Sequence, residues 1–345
     1  ILEAGIELLL QRNRQSEQIR FSCDLPSAAA ASDIVIISVG TPCLEDGQAD
    51  LSQIIQVIEA LQPCIDSYKL IVIKSTAPVG TVGLARGILS RHRQEGRDFD
   101  IVINPEFLRE GHGISDFFHP DRIVVGASSE KARMLMRDLY APLIQGIVSW
   151  QDPDQKCDGS VPVPLVETDP ASAQMIKYAS NAFLAARISF INEIAGLCEK
   201  VNADVKEVSR GMGFDPRIGH AYLEAGLGFG GPCLEKDLRA LMTIAEDNGY
   251  ETQLLRAILQ RNERQLELVM VKLRKLVGHL LYQKTVAVFG AAFKAGTDDV
   301  RNSLALKVIG RLEKEGVAVR VHDPEARIPS LNIVVCEDPY EAVSD

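Results

Sequence analysis

The pattern of hydrophobic and polar positions divides the chain into three parts. In the first part, short runs rich in isoleucine and valine alternate with amphipathic stretches. The apolar runs are residues 33–40, 68–76, 98–104 and 121–126, and the amphipathic stretches are residues 51–62 and 79–92. Apolar strands alternating with helices are typical of βαβ units, in which helices cover both faces of a parallel sheet. We therefore predict an α/β domain here.

The middle part follows a helical pattern. Residues 143–168 are polar and rich in proline and glycine, which indicates a linker or a surface excursion. From Ala171 to about Val201 no proline interrupts a helix-compatible segment. About 30 residues at about 1.5 Å each would span about 45 Å, the length of a spine helix between two domains. A second helical region is expected at about 251–280.

The β-α-β pattern returns at the end of the chain. It comprises "KTVAVFGAAFK" (284–294), a helix from about Val300 to Glu315, and "VAVRVHDP" (317–324). The predicted fold class is α/β, with two Rossmann-like parallel-sheet domains joined by a helical central domain. We place the three domains at residues 1–168, 169–280 and 281–345.

Composition excludes several classes of protein. The formal net charge of −10 offers no basic stripe that could neutralise phosphates, which argues against nucleic-acid binding. Seven scattered cysteines have no paired metal-type spacing, so neither a disulfide framework nor a metal site is expected. The N-terminus lacks the plan of a signal peptide, and the longest apolar runs are strand-sized. These features predict a soluble cytoplasmic protein.

One cysteine stands in an unusual context. In "GFGGPCLEKDLRAL" (228–241), Cys233 follows a run of glycines and precedes a predicted helix start. Glycines allow positive φ and the close approach of a ligand. Peptide dipoles at a helix start favour a thiolate, and Lys236 adds a cation. Cys233 is therefore a candidate nucleophile, with a buried, inert side chain as the alternative.

Three further polar residues are candidates for chemistry. Lys177 and Asn181 are four residues apart and share one face of the long helix. The alternative is a solvated surface pair. Glu106 directly follows a predicted strand, at the edge of the sheet where functional loops are expected, although such a carboxylate can also serve as a cap.

A glycine-rich dinucleotide motif is absent. A G-x-G-x-x-G turn normally follows the first strand of a dinucleotide site, but none precedes "DIVIISVG" (33–40). Either the first α/β domain is no nucleotide site, or its opening β-α-β unit has been removed.

Eight motifs in one order resemble the nucleotide-sugar 6-dehydrogenases, the UDP-glucose/GDP-mannose dehydrogenase family, and most closely its UDP-glucose branch. They are "VGTP" (39–42), "KSTAPVG" (74–80), "NPEFLREG" (104–111), "HPDRIVVG" (119–126), "KYASNAFLAARISFINEIA" (177–195), "DPRIG" (215–219), "GLGFGGPCLEKD" (226–237) and "AAFKAGTDDVRNS" (291–303). The resemblance implies an NAD-binding domain, a central dimerisation and catalytic domain, and an incomplete UDP-sugar-binding domain. Because the family begins with the glycine-rich unit, we expect a truncated N-terminal domain and an inactive chain.

The resemblance implies a four-electron oxidation of UDP-glucose to UDP-glucuronate by NAD, through a cysteine thiohemiacetal and thioester. The implied catalytic residues are Cys233, Lys177, Asn181, Asp237, Glu106 and Thr76. Lys177 would stabilise the oxyanion at C6, Asn181 would hold a water or the substrate oxygen, and Glu106 would handle the hydrolytic water, which Thr76 and Asp237 help to position. The family usually has serine before the cysteine and an aromatic-proline pair after it. This chain has Pro232, Leu234 and Glu235, of which Pro232 and Glu235 are expected to weaken thiol activation.

The same resemblance implies the binding residues. The cofactor would contact Thr41, Thr76, Glu106, Lys236 and Arg301. The substrate would contact Phe107, Leu108, Glu110, Lys177, Asn181, Arg217, Tyr222, Gly230, Phe293 and Lys294. Arg217 corresponds to a position that reaches across a dimer interface, so a homodimer or higher homo-oligomer is expected. Two alternatives stay open: a GDP-mannose 6-dehydrogenase, and a non-catalytic fragment or paralogue that binds the sugar nucleotide but not NAD.

Overall fold

The computed structural model describes residues 3, 5–44, 46–147, 161–328 and 333–344. The chain divides into two units, Glu3–Ala179 and a second unit containing Ser180–Asp345. The division falls within one long helix. The three-domain division made from the sequence stays a prediction.

The first unit contains a five-stranded sheet. Its strands are β1 (Ile34–Ile37), β2 (Lys69–Ile73), β3 (Phe99–Ile103), β4 (Ile123–Ala127) and β5 (Leu165–Thr168). They lie in the order β1-β2-β3-β4-β5, and β1, β2 and β3 run parallel to one another. Every residue of β2, β3 and β4 is buried, as expected for strands covered on both faces.

Helices flank this sheet. They are α1 (Ile6–Gln15), α2 (Leu25–Ala30), α3 (Ser52–Leu61), α4 (Thr81–Leu89), α5 (Gly113–Phe118) and α6 (Glu130–Ile144), with a short 3-10 turn at Gln62–Cys64. The predicted amphipathic stretches correspond to α3 and α4. Helix α3 buries Ile54, Ile58 and Leu61, whose spacing places them on one face.

Two features of the first unit differ from the prediction. Strand β4 runs antiparallel to β3, because the connection between them carries only the six-residue helix α5 instead of a full crossover helix. The predicted linker at 143–168 was wrong at its end, where β5 pairs with β4. Val163 and Leu165 alternate there and pack on the core, which the surrounding prolines hid. Residues 148–160, including Cys157, lie outside the described part of the chain.

Helix α7 (Pro170–Val201) confirms the predicted long helix and has 32 residues. Its first ten residues belong to the first unit and the remainder to the second. Gly126 of β4 is required where this helix begins, because a Cβ at that position would lie 2.5 Å from the Cβ of Ala173.

The second unit combines helices with a three-stranded sheet. Its elements after α7 are α8 (Val205–Gly213), α9 (Leu234–Asp247), α10 (Gln253–Val277), β6 (Thr285–Phe289), α11 (Leu304–Lys314), β7 (Ala318–His322), β8 (Val334–Val335) and α12 (Pro339–Val343). The sheet order is β6-β7-β8, and both pairs are parallel. The predicted β-α-β unit is therefore confirmed as β6, α11 and β7.

None of the helices in the described ranges combines the length and the apolar character needed to cross a membrane.

Candidate functional site

The first group of candidate residues lies at the carboxyl ends of β2 and β3. We call Lys74, Asn104, Glu106 and Lys177 the strand-end cluster. Lys74 and Asn104 directly follow β2 and β3, and the carboxyl ends of parallel neighbours meet at one edge of a sheet. Nζ of Lys177 lies 2.9 Å from Oε1 of Glu106, and the two side chains are only 6% and 28% exposed. This ion pair is therefore largely shielded from water.

Asn104 connects the cluster to the core. Its buried side chain donates from Nδ2 to the carbonyl of Val124 at 2.8 Å. Its Oδ1 accepts from the hydroxyl of Tyr140 at 2.6 Å and from Nζ of Lys74 at 3.4 Å. Burial lowers the pKa of Lys74; Glu106 opposes this shift and Lys177 adds to it. The cluster thus holds two ammonium groups near a single carboxylate.

The loop after Glu106 is ordered by the same carboxylate. Oε2 of Glu106 accepts the backbone N–H of Leu108 at 2.6 Å. The guanidinium of Arg122 lies 3.7 Å from the centre of the Phe107 ring, and Nζ of Lys177 lies 5.4 Å from it. Of the predicted substrate residues in this loop, Phe107 therefore contacts the cluster, while Leu108 is exposed.

Two predicted cofactor residues join the loops that follow β1 and β2. The hydroxyl of Thr41 donates to the carbonyl of Thr76 at 2.8 Å. Ser75 donates in the same way to Val39 at 2.7 Å. These hydrogen bonds fix both loops at the carboxyl edge of the sheet.

The second group lies in the second unit and contains the cysteine. We call residues 226–233 the cysteine loop. The buried side chain of Asn262, from α10, accepts the N–H of Phe229 at 2.8 Å and donates to its carbonyl at 2.9 Å. Gly228 has φ +112, and a Cβ there would lie 2.2 Å from Oδ1 of Asn262. Only glycine satisfies both conditions.

The end of the cysteine loop packs on the segment before α11. The N–H of Gly231 donates to the carbonyl of Asn302, and Nδ2 of Asn302 donates to the carbonyl of Gly231, both at 3.3 Å. A Cβ at Gly231 would lie 2.6 Å from the ring of Phe293, and a Cβ at Gly230 would lie 2.7 Å from the Asn302 carbonyl. The structure therefore brings the predicted substrate residues Gly230 and Phe293 to the same loop.

Cys233 is the N-cap residue of α9, and its side chain is exposed. The predicted helix start is confirmed, and the alternative of a buried cysteine is not what the structure shows. Nζ of Lys236 lies 2.5 Å from Oδ1 of Asp237, so this ammonium is paired with a carboxylate. The ammonium of Lys236, which was expected to stabilise the thiolate, is paired with the carboxylate of the next residue, Asp237.

Asn181 and Asp237 form a buried pair. Nδ2 of Asn181 donates to Oδ2 of Asp237 at 2.5 Å, and Asp237 is 1% exposed. With Lys236 on the other oxygen, both carboxylate oxygens are engaged. Lys177 and Asn181 are themselves buried, so they are not the solvated surface pair considered as an alternative.

The remaining predicted residues lie in exposed or loop positions. Arg217 and Arg301 are exposed and pair with Asp215 and Asp299, respectively. Nζ of Lys294 lies 5.8 Å from the centre of the Phe293 ring. Tyr222 has φ +61, and Glu110 lies in the loop after β3. Their binding roles stay predictions.

Sequence reasoning missed four residues that shape these groups: Lys74, Asn104, Asn262 and Asn302. Lys74 and Asn104 open two of the quoted motifs, so their strand-end positions were a usable signal. Asn262 lies at a core position of α10, in register with Ile258 and Leu266. A polar residue on the apolar face of a helix indicates a specific partner.

Within the described ranges, no group of three or more histidine, cysteine, aspartate or glutamate residues could hold a metal ion.

Three parts of the chain match three domains of one family. Residues 1–144 match the NAD binding domain of the UDP-glucose/GDP-mannose dehydrogenase family, residues 171–264 its central domain, and residues 287–345 its UDP binding domain. Residues 1–144 match the NAD binding domain, and this match gives the expectation of a truncated N-terminal domain no support. The expectation of an inactive chain rested on the same absent motif and finds none either.

Individual relatives agree with this match. A UDP-glucose 6-dehydrogenase of Bacillus subtilis (strain 168) is 40% identical over 100% of this chain and 72% of its own length. The structure of a UDP-glucose dehydrogenase from Pyrobaculum islandicum is 37% identical, with a TM-score of 0.90 over 99% of this chain and 77% of that one. A GDP-mannose dehydrogenase structure from Pseudomonas aeruginosa is 30% identical, with a TM-score of 0.57 over 94% and 71%.

The three domain matches together cover most of the chain, and the full-length alignments to relatives at about 40% identity agree with them. NAD is the cofactor that the first domain binds. The chain belongs to the UDP-glucose/GDP-mannose dehydrogenase family.

Proposed function

We propose that this chain oxidises UDP-glucose to UDP-glucuronate with NAD, and that Cys233 is the nucleophile. The observation that carries the proposal is the exposed thiol at the N-cap of α9, on a loop that glycines and two asparagine side chains hold in place. A thiol at a helix N-terminus is favoured as a thiolate, which is the nucleophilic form.

The first oxidation converts the C6 alcohol of the sugar to an aldehyde. A hydride leaves C6, and the hydroxyl proton passes to a base, either a water held by Asp237 or Lys177 itself. The ammonium of Lys177 stabilises the oxygen on which negative charge develops. Asn181 holds a water or the substrate oxygen.

The second oxidation needs a covalent intermediate. An aldehyde lacks the oxygen whose collapse would expel a second hydride, so the Cys233 thiolate adds to it and forms a thiohemiacetal. Loss of the second hydride leaves a thioester. Water then attacks the thioester carbonyl, the carbon–sulfur bond breaks, and the acid and the thiol are released. Glu106 assists this water, a role that requires a carboxylate within hydrogen-bond reach.

The residues of the first unit fit an NAD site. Bound NAD supplies the hydride-accepting nicotinamide in both oxidations. Thr41 and Thr76 would hold it, because they lie in the loops after β1 and β2, at the edge where sheets of this class bind nucleotides. Lys236 and Arg301 are further proposed contacts in the second unit.

UDP-glucose is the preferred substrate over GDP-mannose. The UDP-glucose dehydrogenase structure superimposes with a TM-score of 0.90, against 0.57 for the GDP-mannose dehydrogenase. We propose Phe107, Leu108, Glu110, Tyr222, Phe293 and Lys294 as sugar-nucleotide contacts, together with backbone amides near Gly230.

The proposal includes a homodimer. Phe183, Phe190 and Leu197 are spaced by seven residues along α7, and each is at least half exposed. A stripe of this kind is the seam that a second helix covers in paired helices. Arg217, exposed in this chain, would then serve the neighbouring subunit. Sedimentation velocity tests the dimer directly.

The decisive experiment follows NADH and UDP-glucuronate in parallel. Wild-type protein with UDP-glucose and NAD should form two NADH per UDP-glucuronate and little product with GDP-mannose. C233S should lose UDP-glucuronate formation, by about 10³-fold or more, because the nucleophile is missing. C23S, which changes another exposed cysteine, is the matched control. Absence of NADH formation with UDP-glucose, or wild-type product formation by C233S, would refute the proposal.

A further inference from the structure

Glu235 stands two residues after Cys233, in the first turn of α9. Its side chain is 22% exposed and has three partners. Oε2 accepts from Nδ2 of Asn302 at 2.9 Å and lies 3.7 Å from Nζ of Lys307. Oε1 accepts from Nη2 and Nε of Arg239 at 2.8 and 3.0 Å. The carboxylate is therefore held from three directions.

The negative charge of Glu235 is matched by its surroundings. Burial alone would raise the pKa of this carboxyl, but Asn302, Arg239 and Lys307 together lower it below its ordinary value. Two cations thus face the one carboxylate. The sequence suggested that Glu235 weakens the activation of Cys233. The pairing of its carboxylate with two cations opposes that effect.

The contact with Asn302 joins Glu235 to a residue 67 positions later in the chain. Nδ2 of Asn302 donates to the Glu235 carboxylate and to the carbonyl of Gly231, and the Asn302 carbonyl accepts from the N–H of Gly231. Asn302 itself has φ +51, an uncommon conformation for a residue other than glycine. A single residue therefore holds both flanks of Cys233, at positions 231 and 235.

We propose that Glu235 is a positioning residue for Cys233: by fixing Asn302, it holds segment 231–235 so that the thiol stays at the first turn of α9. The inference rests on the proposed role of Cys233 as the nucleophile. Arg239 is on the same helix as Glu235, one turn away, and stabilises that helix. Lys307 and Asn302 both reach Glu235 from outside that helix, and of these two Asn302 also binds the backbone of the loop, at Gly231.

The test separates the hydrogen bond from the charge. E235Q keeps an oxygen that can accept from Asn302 but removes the charge. E235A and N302A remove the hydrogen bond, and N302A leaves the charge unchanged. E246A is the matched control, because Glu246 is on the same helix and pairs with Arg256 near its other end.

The first measurement needs no substrate. We expect the rate of Cys233 alkylation by iodoacetamide at neutral pH, followed on the Cys233 peptide by mass spectrometry, to fall about tenfold in E235A and N302A. The reason is that a thiol displaced from the helix start loses thiolate character. E235Q and E246A should stay within about twofold of wild type, and E235A/N302A should be no slower than either single variant.

The second measurement is steady-state turnover of UDP-glucose. E235A and N302A should lower kcat about tenfold while the KM for UDP-glucose changes less than about threefold, since a positioning defect acts on the reacting atom. If wild type turns over no UDP-glucose, the proposed function fails, and the alkylation rates still decide the role of Glu235. Wild-type alkylation in N302A, or a double variant whose losses multiply, would overturn the inference. If E235A does not fold, N302A and E235Q carry the test.

Discussion

The strand-end cluster and the cysteine loop place reactive groups by different means. In the cluster, two ammonium groups and a carboxylate lie where β2, β3 and α7 bring them, and the Lys177–Glu106 ion pair dominates. In the cysteine loop, neutral contacts dominate: Asn262 and Asn302 bind backbone groups that are 33 and 71 residues away in sequence. Charge pairing can be tuned by protonation, whereas the loop depends on shape. Breaking the cluster should therefore show in turnover, whereas removing the anchor of the cysteine loop should show in the free energy of unfolding.

Among the substitutions that compare these two regions, the largest effect is expected from breaking the cluster at Lys177. K177M removes the cation and leaves Glu106 without its ion-pair partner. We expect kcat for UDP-glucose oxidation to fall about 10²–10³-fold, the usual consequence of removing a group that stabilises developing charge. K272M is the control, because Lys272 is an exposed lysine paired with Glu199. Turnover within threefold of wild type would show that the ion pair is structural only.

A smaller effect is expected when the cysteine loop loses its anchor. N262A leaves the N–H and the carbonyl of Phe229 without their side-chain partner in a buried environment. The free energy of unfolding, measured by urea denaturation, should fall by about 2–3 kcal/mol. In the control N248A, an exposed side-chain hydrogen bond to Ile244 is lost, and the change should stay below about 1 kcal/mol. Equal losses in the two variants would contradict the anchoring role.

The sequence predicted those residues of the two regions that are marked by local features. Lys177, Asn181 and Glu106 were found because helix spacing and strand ends are local features that a sequence shows directly. The cysteine and its glycines were found for the same reason. Phe293 was named only through the family resemblance, since nothing local says that its ring packs on Gly231.

The missed features depend on distant residues. Asn262 and Asn302 act through backbone contacts that no spacing rule indicates. Glu235 was expected to weaken thiol activation, because the sequence did not show that Arg239, Lys307 and Asn302 are its partners. Strand β5 was hidden within a proline-rich segment, and the connection before the antiparallel strand β4 carries only the short helix α5. The burial of Lys74 was equally invisible, because the sequence shows a lysine and not its surroundings.

The smallest predicted effect concerns the pH dependence of the cluster. Burial lowers the pKa of Lys74 from its ordinary value of 10.5, with Glu106 opposing and Lys177 assisting. Between the lowered pKa of Lys74 in the folded state and 10.5, the unfolded chain binds more protons than the folded chain. The stability that this group contributes therefore rises with pH in that window, and it is lost as pH falls through the folded-state pKa. K74M should therefore remove part of the alkaline rise in unfolding free energy, by less than the N262A effect.

K200M, at an exposed lysine near the end of α7, should leave the curve unchanged. Urea denaturation of wild type, K74M and K200M from neutral to alkaline pH makes the comparison. If the K74M and wild-type curves run parallel, Lys74 titrates as a solvated lysine and charge coupling within the cluster is confined to Lys177 and Glu106.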